Sequence, residues 1–334
     1  MSTYVTGHSV LAVLASQRGG DRMTQGAQSR DAADSGAIPK PGCLVVDHHG
    51  HGVLPVQSRE MSSKHELPTG LDTSVPNVAR IYDYLLDGKD NFAIDRQAAE
   101  ELLKAVPDAA TAAKQNRRFL RRAVGFLARE CGIRQFIDIG AGLPTQGNVH
   151  AIAQRYARDA RVLYVDNDPV VVRHAQALLV ENAMTVAIGR DVREPDEILT
   201  HPALQALIDL RKPVAVLLIA IMHFIKDDEV AYAIVERLKE ATAPGSYLVV
   251  SHVTGDDLSA EAVKQARELY EKSTAPGVTR SHAEVTRFFD GLELVPPGVV
   301  NVSSWRPDLP ARKSARTIFY AGVAQKALEK DAVK

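Results

Sequence analysis

From Gly132 onward the chain alternates short apolar runs with segments of helical period, and no other feature narrows the fold as far. Runs such as Val214–Met222 are too short for a buried helix of ordinary length and show no polar alternate face. They read as strands buried on both sides, which requires helical crossovers over both faces of a parallel sheet. Strands are expected near 134–140, 161–166, 185–191, 213–220 and 245–253, with helices near 146–157, 169–182, 227–241 and 258–273. The segments 293–305 and 316–325 offer two further strands with little room for a helix between them, so the sheet is expected to finish in an antiparallel hairpin. The fold class is α/β and doubly wound, mostly parallel with an antiparallel last strand.

Ahead of the sheet lie three expected helices. Val78, Ile81, Tyr82 and Leu85 recur at helical spacing, Pro76 suits a first turn and Gly88 a C-terminal cap. A second helix covers 95–106 and ends at Pro107, and a third covers 108–130 with Gly132 as its stop. The third carries Lys114, Arg117, Arg118, Arg121 and Arg122, a stripe that reads either as a solvated face or as a contact for an acidic or nucleic-acid ligand. The expected organisation is a leader over 1–70, a helical cap over 71–132, a cofactor-binding domain over 133–326 and a tail over 327–334. The leader is rich in Gly, Ser, Asp and Gln without period, and reads as loosely ordered. Met61, just before the patterned region, is an alternative start. His48, His49 and His51 lie in that leader without a partnering cluster, so no metal site is expected there.

Composition removes several classes of function. Lys+Arg 40 against Asp+Glu 41 gives a net charge of -1, so no global field draws the protein onto nucleic acid or an anionic membrane. Cys43 and Cys131 form no metal spacing and suit a reducing compartment. The longest apolar run falls far short of the roughly 20 residues that span a bilayer, and the N-terminus lacks the pattern of a secretion signal. A cytoplasmic protein without a membrane partner is expected.

In an open α/β sheet the ligand sits beyond the carboxyl ends of the strands, so the strand ends are the place to look for chemistry. The first ends in Phe136-Ile137-Asp138-Ile139-Gly140-Ala141-Gly142, where two glycines let backbone approach a ligand and turn into the next helix. The second ends in Tyr164-Val165-Asp166-Asn167-Asp168-Pro169, which places Asp166 about twenty residues past the glycines, where a carboxylate accepts from both ribose hydroxyls. Asp168 reads as the cap of the helix that Pro169 begins. At the third, Asp191 accepts from an adenine amine while the Val192 amide donates to a ring nitrogen, or else Asp191 caps its own loop. Together these ends describe a nucleoside site.

The loop after the glycines separates two nucleoside cofactors. A dinucleotide fingerprint has a third glycine at position 145 and free amides for a pyrophosphate. This chain has Thr145 there, and Pro144 removes one amide. A cofactor without phosphates tolerates that loss, so S-adenosyl-L-methionine is preferred to NAD.

The runs Pro76–Phe92, Gln115–Leu120, Phe136–Pro144 and Tyr164–Pro169 resemble those of the actinobacterial S-adenosyl methyltransferase family, long catalogued as a domain of unknown function. The resemblance extends from about Pro68 to Gln325. It implies a Rossmann-like, seven-stranded class I methyltransferase sheet, adenosylmethionine binding at the strand ends, with Asn167 and Ala220 beside the residues named above, and a helical cap over the site. The commoner methyltransferase loop has a glycine where Pro144 stands.

Methyl transfer is an in-line attack on a carbon already activated by sulfonium, so a protein chiefly aligns the partners and excludes water. His223, in Ala220-Ile221-Met222-His223-Phe224 after the fourth strand, is the candidate general base; its other reading is a histidine that orients the loop. Tyr84, Asn91, Asn116 and Arg117 are polar groups on the cap helices, either shaping a substrate pocket or serving helix packing. The acceptor stays open among a small metabolite, a protein and RNA, in that order. A sensor that keeps the cofactor site without turnover and an NAD oxidoreductase are the alternative classes.

Overall fold

The apolar runs close into one sheet. The computed structural model describes residues 75–144, 147–178, 182–257, 277–308 and 318–328. Its strands are β1 (Gln135–Ile139), β2 (Arg161–Asp166), β3 (Thr185–Gly189), β4 (Ala215–Ile219), β5 (Tyr247–Val253), β6 (Glu293–Leu294), β7 (Val300–Asn301) and β8 (Phe319–Gln325). The order is β3-β2-β1-β4-β5-β8-β6, with β7 also paired to β8. The first five strands are parallel, and β8 runs antiparallel to β5 with Tyr247 opposite Gln325 and Val253 opposite Phe319. Because β2 and β4 flank β1, the chain reverses its direction of winding there, and a crevice opens at the carboxyl ends of β1 and β4.

Every residue of β1, β4 and β5 is buried, and alternate side chains feed two cores. Phe136, Val162, Leu217 and Val249 point to one face, packed with Phe119, Leu120 and Val124. Ile137, Leu163, Leu218 and Val250 point to the other, packed with Ile198, Leu204, Ile234 and Leu238. That two-faced burial explains why these strands are apolar throughout rather than alternating. Replacing a residue such as Leu217 by Ala costs about 2–5 kcal/mol.

The expected N-terminal helices are α1 (Val78–Leu85), α2 (Ala93–Ala105) and α3 (Ala109–Arg129). The Asn77 side chain caps α1 by accepting from the amides of Ala79 and Arg80. The expected cap at Gly88 shifts by one residue: Asp87 takes the left-handed conformation, φ 60°. Gly88 is needed for another reason, since a Cβ there would lie 1.9 Å from Asp83 Oδ1. Gly132 ends α3 as expected, at φ 69°. Arg80 Nε and Asp95 Oδ2, 2.6 Å apart and buried, join α1 to α2. α3 buries Ala112, Ala113, Phe119, Leu120, Ala123, Val124 and Leu127 against α4 (Val149–Tyr156), β4 and β8, so it belongs to the covering layer of the sheet. None of the described helices is long and apolar enough to cross a membrane.

Beyond the sheet, α5 (Pro169–Leu178) and α8 (Asp228–Glu240) fall where expected. The helix expected over 258–273 lies outside the described residues, as do the leader, Met61 and the three leader histidines. Three short helices escape the sequence reading: α6 (Pro195–Leu199), α7 (Pro202–Leu207) and α9 (His282–Arg287) are each under two turns, too brief for a periodic signal. The expected antiparallel finish is present, with its first strand interrupted. Pro296 and Pro297, which carry no amide for a ladder, break 293–305 into β6 and β7, and both pieces pair with the same edge of β8. Eight strand segments therefore fill seven places in the sheet.

Candidate functional site

At the crevice, β1 ends in a loop with Gly140 and Gly142 left-handed, at φ 76° and 65°. A side chain would strain either position. The amides of Gly140 and Ala141 donate to Val165 O at 2.7 and 3.2 Å, tying the loop to the neighbouring strand end. Asp166 closes the link: Oδ2 accepts from Gly142 N and Oδ1 from Asp168 N, each at 2.9 Å. Its carboxyl is 3% exposed, and burial pushes it up to about 8 against the pull of those two amides.

Asp138, inside β1, is the residue that sequence reasoning passed over. It is buried, its Oδ1 has no hydrogen-bond partner among the described residues, and burial pushes its carboxyl up to about 7 although the Arg117 charge opposes this. A cavity of about 20 Å³ opens beside it, lined among others by Arg117, Gly142, His150 and Tyr164. A lone carboxylate amid the apolar residues Phe136, Ile137 and Ile139 was the available signal, because only a partner justifies burying one.

Around the next two strand ends the polar groups interlock. Asp168 caps α5 through Val170 N at 2.7 Å, as expected, and its Oδ2 also accepts from Asn77 Nδ2 at 2.6 Å. Asn167 Nδ2 donates to Asp191 Oδ2 at 2.8 Å, while Asn167 Oδ1 is buried without a partner among the described residues. Asp191 also receives the Arg193 guanidinium and amide. Burial would push Asp191 up, but these donors outweigh it and hold the carboxyl below its ordinary range. Its side chain thus caps its own loop, each carboxylate oxygen already accepting from two donors. Val192 is buried beside it. Across the crevice, Ala220 takes φ 53° and its amide donates to Ser251 O and Oγ, both at 3.0 Å.

The turn after β4 carries His223 on a single 3-10 turn, Met222–Phe224, 1% exposed. Its ring lies 5.6 Å from that of His252, edge to face. Arg280 organises this region: it is buried, donates to Met222 O and Ile225 O at 3.0 and 2.9 Å, to His252 Nε2 at 2.8 Å and to Asp228 Oδ1. Since a guanidinium only donates, His252 Nε2 is an acceptor and Nδ1 carries the proton given to Val253 O at 2.7 Å. Burial, then the Arg280 charge, hold His252 well below its ordinary value, so the ring is neutral. Arg280 carried no sequence signal, because it reaches this turn from far along the chain.

The cap residues divide. Arg117 reaches Asp138's cavity and Asn148 Oδ1, and Asn116, fully buried, donates to Tyr82 Oη at 3.3 Å. Tyr84 and Asn91 serve contacts among the helices: Tyr84 Oη meets Glu100 at 3.4 Å, and Asn91 Nδ2 donates to Asp83 and to Gly88 O. α1 itself sits on the glycine loop, with Ala79 packed against Leu143 and Val171.

The arrangement matches known proteins. A protein-family model described as S-adenosyl methyltransferase matches residues 64–327. The chain belongs to that family. The methyltransferase is 40% identical to a methyltransferase candidate from Thermobifida fusca, with 78% of this chain and 98% of that one covered and a TM-score of 0.74. It is 41% identical to a DUF574 family protein from Streptomyces avermitilis, covering 76% and 99%, with a TM-score of 0.72. No curated protein matches. The cofactor of the methyltransferase is S-adenosylmethionine, and the crevice suits its chemistry. Asp138 Oδ1 and Asn167 Oδ1 are buried acceptors in need of donors, and the cofactor brings an ammonium group and two ribose hydroxyls.

Proposed function

We propose that the methyltransferase acts on a small metabolite, enclosed between the turn after β4 and the α1–α2 pair. Gly140, Ala141, Gly142, Asp166, Asn167, Asp191, Val192 and Ala220 would hold adenosylmethionine, with Asp138 beneath the loop. Bound there, the cofactor supplies a methyl group activated by sulfonium. The chain orients the acceptor, excludes water, and receives the acceptor's proton at the His223 imidazole. The observation that carries the choice of a small acceptor is enclosure: His223 is 1% exposed, with buried Met222, His252 and Arg280 around it. A folded protein or an RNA duplex does not reach so deep a group, whereas a small molecule enters a closing pocket.

The α1–α2 pair acts as the cover. Support comes from Asn77 bridging to Asp168 and from Ala79 packed on Leu143, contacts that join α1 to the loops after β1 and β2. The test is conversion of adenosylmethionine to adenosylhomocysteine with cell extract separated into metabolite, protein and RNA fractions. Turnover is expected with the metabolite fraction, and turnover with only the protein or RNA fraction would overturn the assignment. His223→Ala should slow turnover by about 10²–10⁴-fold with cofactor affinity unchanged. Unchanged turnover would leave His223 as a residue that shapes the turn.

A further inference from the structure

A second concave surface runs along α3 and α4, from Gly147 near the glycine loop to Tyr156. It is a groove of about 850 Å³ whose cationic lining is Arg121, Arg122, Arg129, Arg155 and Arg306. Two carboxylates, Glu130 and Asp308, share it, which leaves a surplus of three positive charges in a chain whose net charge is -1. Arg121 pairs with Asp308 at 2.9 Å, and Arg129 and Arg306 pair with Glu130 at 2.5 and 3.5 Å. Arg155 is exposed and meets no carboxylate among the described residues. Part of the basic stripe noted in the sequence thus faces a cavity rather than open solvent.

Three aromatic residues, Phe126, Tyr156 and Trp305, share the lining, and Tyr156 is 44% exposed. The guanidinium of Arg306 sits 4.1 Å from the Phe126 ring centre and that of Arg129 lies 5.9 Å from Tyr156. Arg306 holds this position with φ 42°, a left-handed conformation that costs a non-glycine residue on the order of 1 kcal/mol. Arg122, by contrast, is a wall: it donates to Trp305 O and Val302 O and fixes the segment that carries Arg306.

We infer that this groove binds a nucleotide, with arginine forks on its phosphates and the exposed Tyr156 face against its base. The same chemistry is offered by a free nucleotide and by a single RNA strand. Every cation in the lining among the described residues is arginine, whose planar fork matches phosphate oxygens two at a time and stacks on rings, whereas a merely solvated face has no use for the distinction from lysine. An acidic peptide would satisfy the charges but make no use of the exposed part of the Tyr156 ring, while stacked bases over a cationic groove use both features. The volume is that of a small-ligand site.

The test is fluorescence anisotropy of a labelled short oligouridylate on the full chain, with UTP and inorganic tripolyphosphate as competitors; uracil avoids the adenosine site. Saturating adenosylhomocysteine should leave the signal in place. Three surplus charges predict a loss of roughly tenfold to twentyfold in affinity between about 50 and about 200 mM salt. Arg129→Ala with Arg155→Ala should weaken binding at least about tenfold, and Tyr156→Ala about fivefold or more, with adenosylmethionine affinity unchanged as proof of folding. UTP competing as well as the oligomer identifies a free nucleotide, and a much stronger oligomer identifies a strand. Absence of binding at low salt, displacement by adenosylhomocysteine, indifference to the arginine variants, or tripolyphosphate competing as well as UTP would each overturn the inference.

Discussion

The two halves of the crevice are built from opposite chemistry. The ends of β1 and β2 bury carboxylates, Asp138, Asp166 and Asp168, while the ends of β4 and β5 bury His223, His252 and the guanidinium that Arg280 extends to them. On the acidic side burial holds Asp138 and Asp166 protonated to about 7 and 8, so a cationic ligand finds groups ready to ionise for it. On the other side the Arg280 cation and burial keep His252 neutral. The difference teaches how one crevice can carry buried groups of both kinds: the carboxyls that suit a sulfonium cofactor are kept apart from the imidazoles, so neither set titrates against the other. The halves also answer pH in opposite senses. A carboxyl raised in the folded state costs stability as pH rises from about 4 toward 7 or 8, because the unfolded chain releases its proton first. His252, lowered in the folded state, costs stability as pH falls below about 6.5.

The largest expected effect comes from removing the organiser of the basic half. Arg280→Ala leaves Ile225 O without its guanidinium donor and Met222 O with the Ile225 amide alone, and removes the guanidinium from His252 Nε2 and Asp228, for an expected loss of about 3 kcal/mol in denaturant unfolding. A loss below about 1 kcal/mol would mean that the turn holds itself. On the acidic half, Asp166→Asn keeps the volume but not the charge. Adenosylmethionine affinity measured by calorimetry should fall by about 1–3 kcal/mol, with the His223 turn unaffected.

Third, cofactor affinity should rise with pH up to about 8 and then level, by up to about tenfold per pH unit for each carboxyl that must ionise. The sign follows from linkage: the cationic ligand favours the carboxylate, so binding releases protons held at lower pH. Calorimetry in buffers of different ionisation enthalpy counts those protons, and uptake instead of release would contradict the acidic half as described. The smallest effect belongs to the cover. Asn77→Ala removes the cap of α1 and its bridge to Asp168, at a cost of about 1 kcal/mol. Hydrogen exchange over 78–105 should then lose the protection that adenosylmethionine confers on the unmodified protein; equal protection in the variant would separate α1 from the cofactor.

Local pattern determined the sheet. The five parallel strands and the capping of α5 follow from runs of apolar residues and from Asp168, because burial on two faces and orphan amides at helix ends are demands a few neighbouring residues meet alone. The glycine loop and Asp166 were legible for the same reason: a strand end delivers them whatever surrounds it. Tertiary structure decided the rest. Only the packed chain brings Arg280 to His252, Asn77 to Asp168 and Arg117 to Asp138, pairs 28, 91 and 21 residues apart. Whether a buried carboxyl or imidazole is charged depends on neighbours that no local window contains. The broken edge beside β8 has the same origin: Pro296 and Pro297 announce an interruption, but that both fragments return to one strand is settled by the ladder β8 offers them.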